Sequence, residues 1–175
     1  MKIKCKCLLF VLLSGLVAAV CVWGLILQNR ASEINAILEK LDSPEPEVVR
    51  SAARSIRGLQ YEMLEDGTRQ MVRTPGYEPF RGRAARKIER RVIERLADIE
   101  DRLTLQSLLS VVMRSHGPEY SETGLDFQRY GNAEWGVIRK ASEKVAGSHF
   151  YFEHEDGTRG IGIGGHRGQS RIIRE

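Results

Sequence analysis

The chain has 175 residues, of which 27 are Lys or Arg and 23 are Asp or Glu, giving a net charge of +4 at pH 7. Three of those bases, Lys2, Lys4 and Lys6, precede a long apolar run; without them 24 basic residues face 23 acidic ones, so the remainder lacks the basic bias of a general nucleic-acid binder. Cys5, Cys7 and Cys21 all lie in or beside that run, which excludes an internal disulfide from the rest of the chain and leaves it to stand on packing.

The run extends from Cys7 to Leu27 without a charge. As a helix it is long enough to cross the roughly 30 Å hydrocarbon layer of a bilayer, where an isolated segment can satisfy its backbone only as a helix. A signal peptide carries a shorter apolar run ending in small residues, whereas this one ends in Trp23, Leu25, Ile26 and Leu27, so a retained signal-anchor is expected. The lysines before the span, against Arg30 and Glu33 after it, put residues 1–6 in the cytoplasm as a basic tail and the bulk of the chain in a periplasmic or extracellular space. Cys5 and Cys7 read as small residues at a helix start; acylation is their other use, and two thiolates are too few for a closed tetrahedral zinc site.

Residues 28–59 read as a helical pair. Ile34, Ile37, Leu38 and Leu41 form one helical stripe continuing out of the span. Ser43 is expected to cap a second helix with Pro44 at its first position, Val48, Val49, Ala52, Ala53 and Ile56 on its inner face, and Gly58 at its end. Residues 34–59, with a Pro turn leading into Val48-Val49-Arg50-Ser51-Ala52-Ala53, resemble one unit of a bacterial HEAT-type helical repeat. That resemblance implies a protein-binding surface; such repeats stack in series, and no second unit follows at a fixed period.

Residues 60–175 read as an α+β domain. A hairpin is expected near 61–72 about Asp66-Gly67, and a second near 149–163 about Asp156-Gly157. Glu65-Asp66-Gly67-Thr68-Arg69 recurs as Glu155-Asp156-Gly157-Thr158-Arg159; because the flanks differ, the preferred reading is one turn chemistry met twice rather than two related hairpins. A two-residue turn at Asp156-Gly157 would pair Phe152 with Ile161 and Phe150 with Ile163, and set Tyr151 and Glu153 against Gly162 and Gly160.

Between the hairpins, Thr74 to Pro79 marks a loop, and Ala85, Ile88, Val92, Leu96, Ile99 and Leu103 predict a helix from about Gly82 to Leu103. Arg83, Arg86, Lys87, Arg90, Arg91 and Arg95 crowd the first half, where positive charge opposes the helix dipole. They are candidates for contact with anionic lipid or an acidic partner; nucleic acid is disfavoured by the expected topology, and the plain alternative is a solvated face with pairs such as Arg90 with Glu94. Leu105, Leu108, Leu109, Val111, Val112 and Met113 form the most apolar stretch beyond the span, either the same helix or a new one capped by Thr104, and the expected core. His116-Gly117-Pro118 ends it, and Asn132 is expected to cap a helix through Trp135, Ile138 and Val145, closed by Gly147.

No Gly-x-Ser-x-Gly elbow, His-Glu-x-x-His helix or P-loop occurs. Gly160-x-Gly162-x-x-Gly165 matches a dinucleotide fingerprint only as a string, since it lies in a strand with no helix after it. The fold expected is therefore α+β: a single transmembrane helix followed by a mainly helical domain with two β-hairpins. The expected function is a membrane-anchored interaction or assembly protein that binds a protein partner or the membrane surface, with no cofactor, metal or assigned catalytic residue. The alternative is a membrane-anchored enzyme using His154, Glu155 and Asp156, with His166.

Overall fold

The computed structural model describes residues 2–64, 68–113 and 123–163. Helix α1 runs unbroken over Lys2–Asp42. From Gly15 onward it is long and apolar enough to cross a membrane, with Trp23 68% and Leu16 66% exposed, so it fits a single-pass membrane protein. The chain divides into two compact units, residues 1–36 and 37–175. Within the second, the end of α1 buries Ile37 and Leu41.

Helix α2 spans Pro46–Ile56, two residues later than the sequence suggests. The cause is the second proline: a residue before proline is driven out of the helical region, so Glu45 is extended (φ −81°, ψ 118°) and Pro46 takes the first helical position. Ser43 instead accepts the Glu45 N–H at 3.1 Å. Strands β1 (Leu59–Met63) and β2 (Arg69–Arg73) form an antiparallel hairpin.

Helix α3 covers Gly82–Asp98 and α4 Arg102–Met113. One continuous helix to Leu103 is not formed. Ile99 turns to ψ 136° and packs inward, while the Asp101 carboxylate accepts the Thr104 N–H at 2.8 Å and so caps α4. Asp101, not Thr104, is the capping residue, and hydrogen bonds from the Thr104 hydroxyl and N–H lower its carboxyl pKa below the usual carboxylate value, with Arg50 assisting. Helix α5 is Asn132–Lys144, and Glu134 reaches back to the Gly131 N–H at 3.1 Å, so Asn132 lies inside the helix it was expected to cap.

Strands β3 (His149–Glu153) and β4 (Arg159–Ile163) form the second hairpin, in a register one residue from the expected one. Phe150 faces Gly162, Tyr151 faces Ile161 and Phe152 faces Gly160. The loop has three residues rather than two: the Gly157 N–H donates to the His154 carbonyl at 3.0 Å, the His154 N–H to the Thr158 carbonyl at 2.8 Å, and Gly157 sits at φ +82°. Gly162 thus lies beneath the Phe150 ring, not beneath Tyr151.

The two hairpins are separate two-stranded sheets on a helical core, an α+β arrangement. Val49, Ala52, Ala53 and Ile56 of α2, Ile88, Val92 and Leu96 of α3, and Leu105, Leu108, Leu109 and Val112 of α4 are buried. Phe80, Phe127, Trp135, Ile138 and Ile161 close that core. Each Val, Leu, Ile or Phe side chain among them contributes about 1.5–3 kcal/mol on leaving water.

Candidate functional site

The apolar spacing of α3 turns Ala85, Ile88, Val92, Ile93 and Leu96 inward and leaves its basic residues outside. The structure then splits the six basic candidates into two groups. Arg91 forms ion pairs with Asp42 and with Glu94, the latter at 2.7 Å, and both raise its pKa, Asp42 more strongly. Arg95 donates to the Ser43 carbonyl at 3.0 Å. These two are structural, and Glu94 serves Arg91 rather than Arg90. Arg83, Arg86, Lys87 and Arg90 are exposed and form no ion pair among the described residues. Their spacing of i, i+3, i+4 and i+7 aligns them along about 10 Å of one face.

Glu89 is the residue that sequence reasoning missed. It is fully buried on the inner face of α3. Oε1 accepts the Asp126 N–H at 2.7 Å, Oε2 accepts the Tyr130 hydroxyl at 3.0 Å, and Arg129 forms an ion pair with the same carboxylate. Its signal was positional: Glu89 falls four residues after Ala85 and beside Ile88, where the apolar stripe calls for a hydrophobic side chain.

The turn residues His154, Glu155 and Asp156 are exposed. The Asp156 carboxylate accepts the Thr158 N–H at 2.8 Å, which lowers its pKa and commits it to the turn. His154 lies edge-on to Phe152 at 5.1 Å. His166, His116 and the end of the glycine string lie outside the described residues. Among the described residues no group of three or more His, Cys, Asp or Glu side chains is gathered to hold a metal ion.

An open groove of about 490 Å³ runs between the end of α5 and β3, lined by Arg139, Glu143, His149, Tyr151 and Glu153 among others. At its edge Glu153 accepts the Tyr151 hydroxyl at 2.7 Å and the Arg159 Nε–H at 3.0 Å, interactions that lower the glutamate's pKa in that order. His149 is buried, with Nε2 3.3 Å from the Ser110 hydroxyl and Nδ1 3.2 Å from the Ser148 hydroxyl. The Ser110 proton goes to the Gln106 carbonyl and the Ser148 proton to the Val145 carbonyl, both at 2.8 Å. Neither serine is therefore poised to give its proton to the imidazole, and the contact is structural rather than a nucleophile–base pair. Burial, then Arg57, lowers the His149 pKa.

Compared with protein-family models, characterised proteins and solved structures, the chain matches none.

Proposed function

We propose that this is a single-pass membrane-anchored interaction protein, held by residues 7–27, with its N-terminus cytoplasmic and its bulk periplasmic or extracellular. Its domain binds an anionic surface, either the headgroups of its own membrane or an acidic protein. The observation that carries this reading is the line of Arg83, Arg86, Lys87 and Arg90 on α3, which have no ion-pair partner among the described residues. Arg83, Arg86 and Lys87 crowd the N-terminal end of their helix, where cations cost stability, so an external anion explains them better than helix stability does. The resemblance of residues 34–59 to a HEAT-type unit supports a binding role as well.

The test uses the full chain reconstituted in vesicles, with a fluorophore at position 97 on the exposed side of α3. In vesicles containing an anionic lipid and a headgroup quencher, salt-sensitive quenching that disappears on replacing the four cations by Gln assigns the surface to lipid. No quenching, with salt-sensitive capture of an acidic protein lost in the same variant, assigns it to a protein. If the four substitutions change neither, the proposal fails.

A further inference from the structure

The second hairpin has one edge closed and the other open. On the β4 side the Gln128 carboxamide pairs with the backbone of Arg159, Oε1 accepting its N–H at 3.3 Å and Nε2 donating to its carbonyl at 2.5 Å. Strand β4 also packs against α4. Such cover keeps a sheet edge from pairing with another chain.

The β3 edge is different. Because the His154 N–H bonds to the Thr158 carbonyl, the alternation of an antiparallel ladder turns the backbone groups of Phe152 and Phe150 toward Gly160 and Gly162. Those of His149, Tyr151 and Glu153 therefore point away from β4, and among the described residues they have no hydrogen-bond partner. The groove of about 490 Å³ opens on this edge, with Arg139, Ser142, Glu143 and Ala146 facing the strand. Nothing in His149-Phe150-Tyr151-Phe152-Glu153 blocks pairing, since the strand holds no proline, bulge or lysine.

The occupant follows from the symmetry of the strand. About Tyr151 it reads Phe-Tyr-Phe in either direction, as an interface built on a two-fold axis requires. We infer that β3 pairs antiparallel with β3 of a second copy, with the axis at Tyr151, so that the two hairpins form one continuous sheet. Tyr151 then hydrogen-bonds its own counterpart, and Phe150, 46% exposed, stands beside Phe152 of the other copy, an aromatic cross-strand pair made twice. Charge agrees with this direction. Antiparallel pairing sets Glu153 opposite His149 and keeps the two Glu153 carboxylates about 13 Å apart along the strands, whereas parallel pairing would bring them to about 5 Å. The groove wall suits a second copy as well, because the exposed Arg139–Glu143 ion pair, at 3.2 Å, offers one charge of each sign and so no net repulsion. This contact uses none of the α3 cations and is independent of the anionic surface proposed for them.

The experiment uses the full chain with Cys5, Cys7 and Cys21 replaced by Ser, made as two differently tagged populations in one membrane, one carrying Phe150→Cys and the other Phe152→Cys. In the inferred pairing these positions face each other without backbone bonds between them, at a Cα separation of about 4.5 Å that a disulfide can span. The expected result under mild oxidation is a 150–152 link between the two tags at roughly ten times the yield of 150–150 or 152–152 links, which the register holds out of disulfide reach. Equal yields in all combinations, links to a different protein, or no link overturn the inference. Amide exchange on the unsubstituted chain in detergent is the second measurement, and it stands even if a cysteine variant folds poorly. The Tyr151 and Glu153 amides should exchange more slowly as the ratio of chain to detergent rises, and fast exchange at every ratio overturns the inference.

Discussion

Replacing Glu89 by Ala removes the acceptor for three donors at once. The Arg129 side chain is 36% exposed and can return to water, so its loss costs little. The Asp126 N–H and the Tyr130 hydroxyl are partly buried, and each costs about 1–2 kcal/mol when left without an acceptor. The space vacated by the side chain adds about 1 kcal/mol. The sum, about 3–5 kcal/mol, agrees with the cost of breaking a buried ion pair from one side. For a unit of this size it lowers Tm by roughly 10 °C. Glu89→Gln keeps an acceptor for the Asp126 N–H and loses the charge, so it costs about half as much. A Trp23→Phe background leaves Trp135, 2% exposed, as the sole indole, and its fluorescence in detergent follows unfolding of the second unit. A loss below about 1 kcal/mol for Ala, or a loss for Gln equal to that for Ala, would refute the reasoning, because the carboxylate would then be solvated or its charge irrelevant.

Gly124→Ala is expected to lower stability by at least ~2 kcal/mol. Gly124 sits at φ +71°, and an added Cβ would lie 1.8 Å from the Phe80 carbonyl oxygen, a backbone atom held in place by the Phe80 N–H bond to Thr123. Gly136→Ala is the control: a Cβ there meets nothing within 4 Å, and the better helix former raises Tm slightly. Titration of His149 gives a third test. Its folded pKa lies below the unfolded value, so below about pH 6.5 the unfolded chain takes up protons that the folded one refuses, and stability falls as pH falls. His149→Gln should flatten the dependence of Tm on pH between about 7 and 5.5, and an unchanged slope would refute it.

Periodicity made the helices and their inward faces legible, because a stripe such as Ala85, Ile88, Val92 and Leu96 reports the core directly. Boundaries were less legible where two local rules compete. Ser43-Pro44 is a sound helix start until Pro46 forces Glu45 out of the helix, and the stripe through Leu103 hides the break that Asp101 caps. The register of the second hairpin turned on whether Asp156-Gly157 forms a two-residue loop or the end of a three-residue one, a choice made by one backbone hydrogen bond. Among the basic residues of α3, composition could not separate Arg91 and Arg95 from their neighbours, because Asp42 and Ser43 lie about fifty residues away in sequence. Glu89 could be read only as a carboxylate out of place on the apolar stripe, because its partners come from residues 126–130.

The same two arginines set the mechanics of the junction that follows α1. Asp42 and Ser43 are gripped from α3 while Ile37 and Leu41 are sunk in the core, so the short link through Pro44 and Pro46 does not act as a free joint. Tension arriving along the last turns of α1 is shared with α3 instead of passing through that link alone. Without the two guanidinium groups the junction would rest on Ile37 and Leu41 alone, and what the molecule would lose there is stiffness rather than affinity.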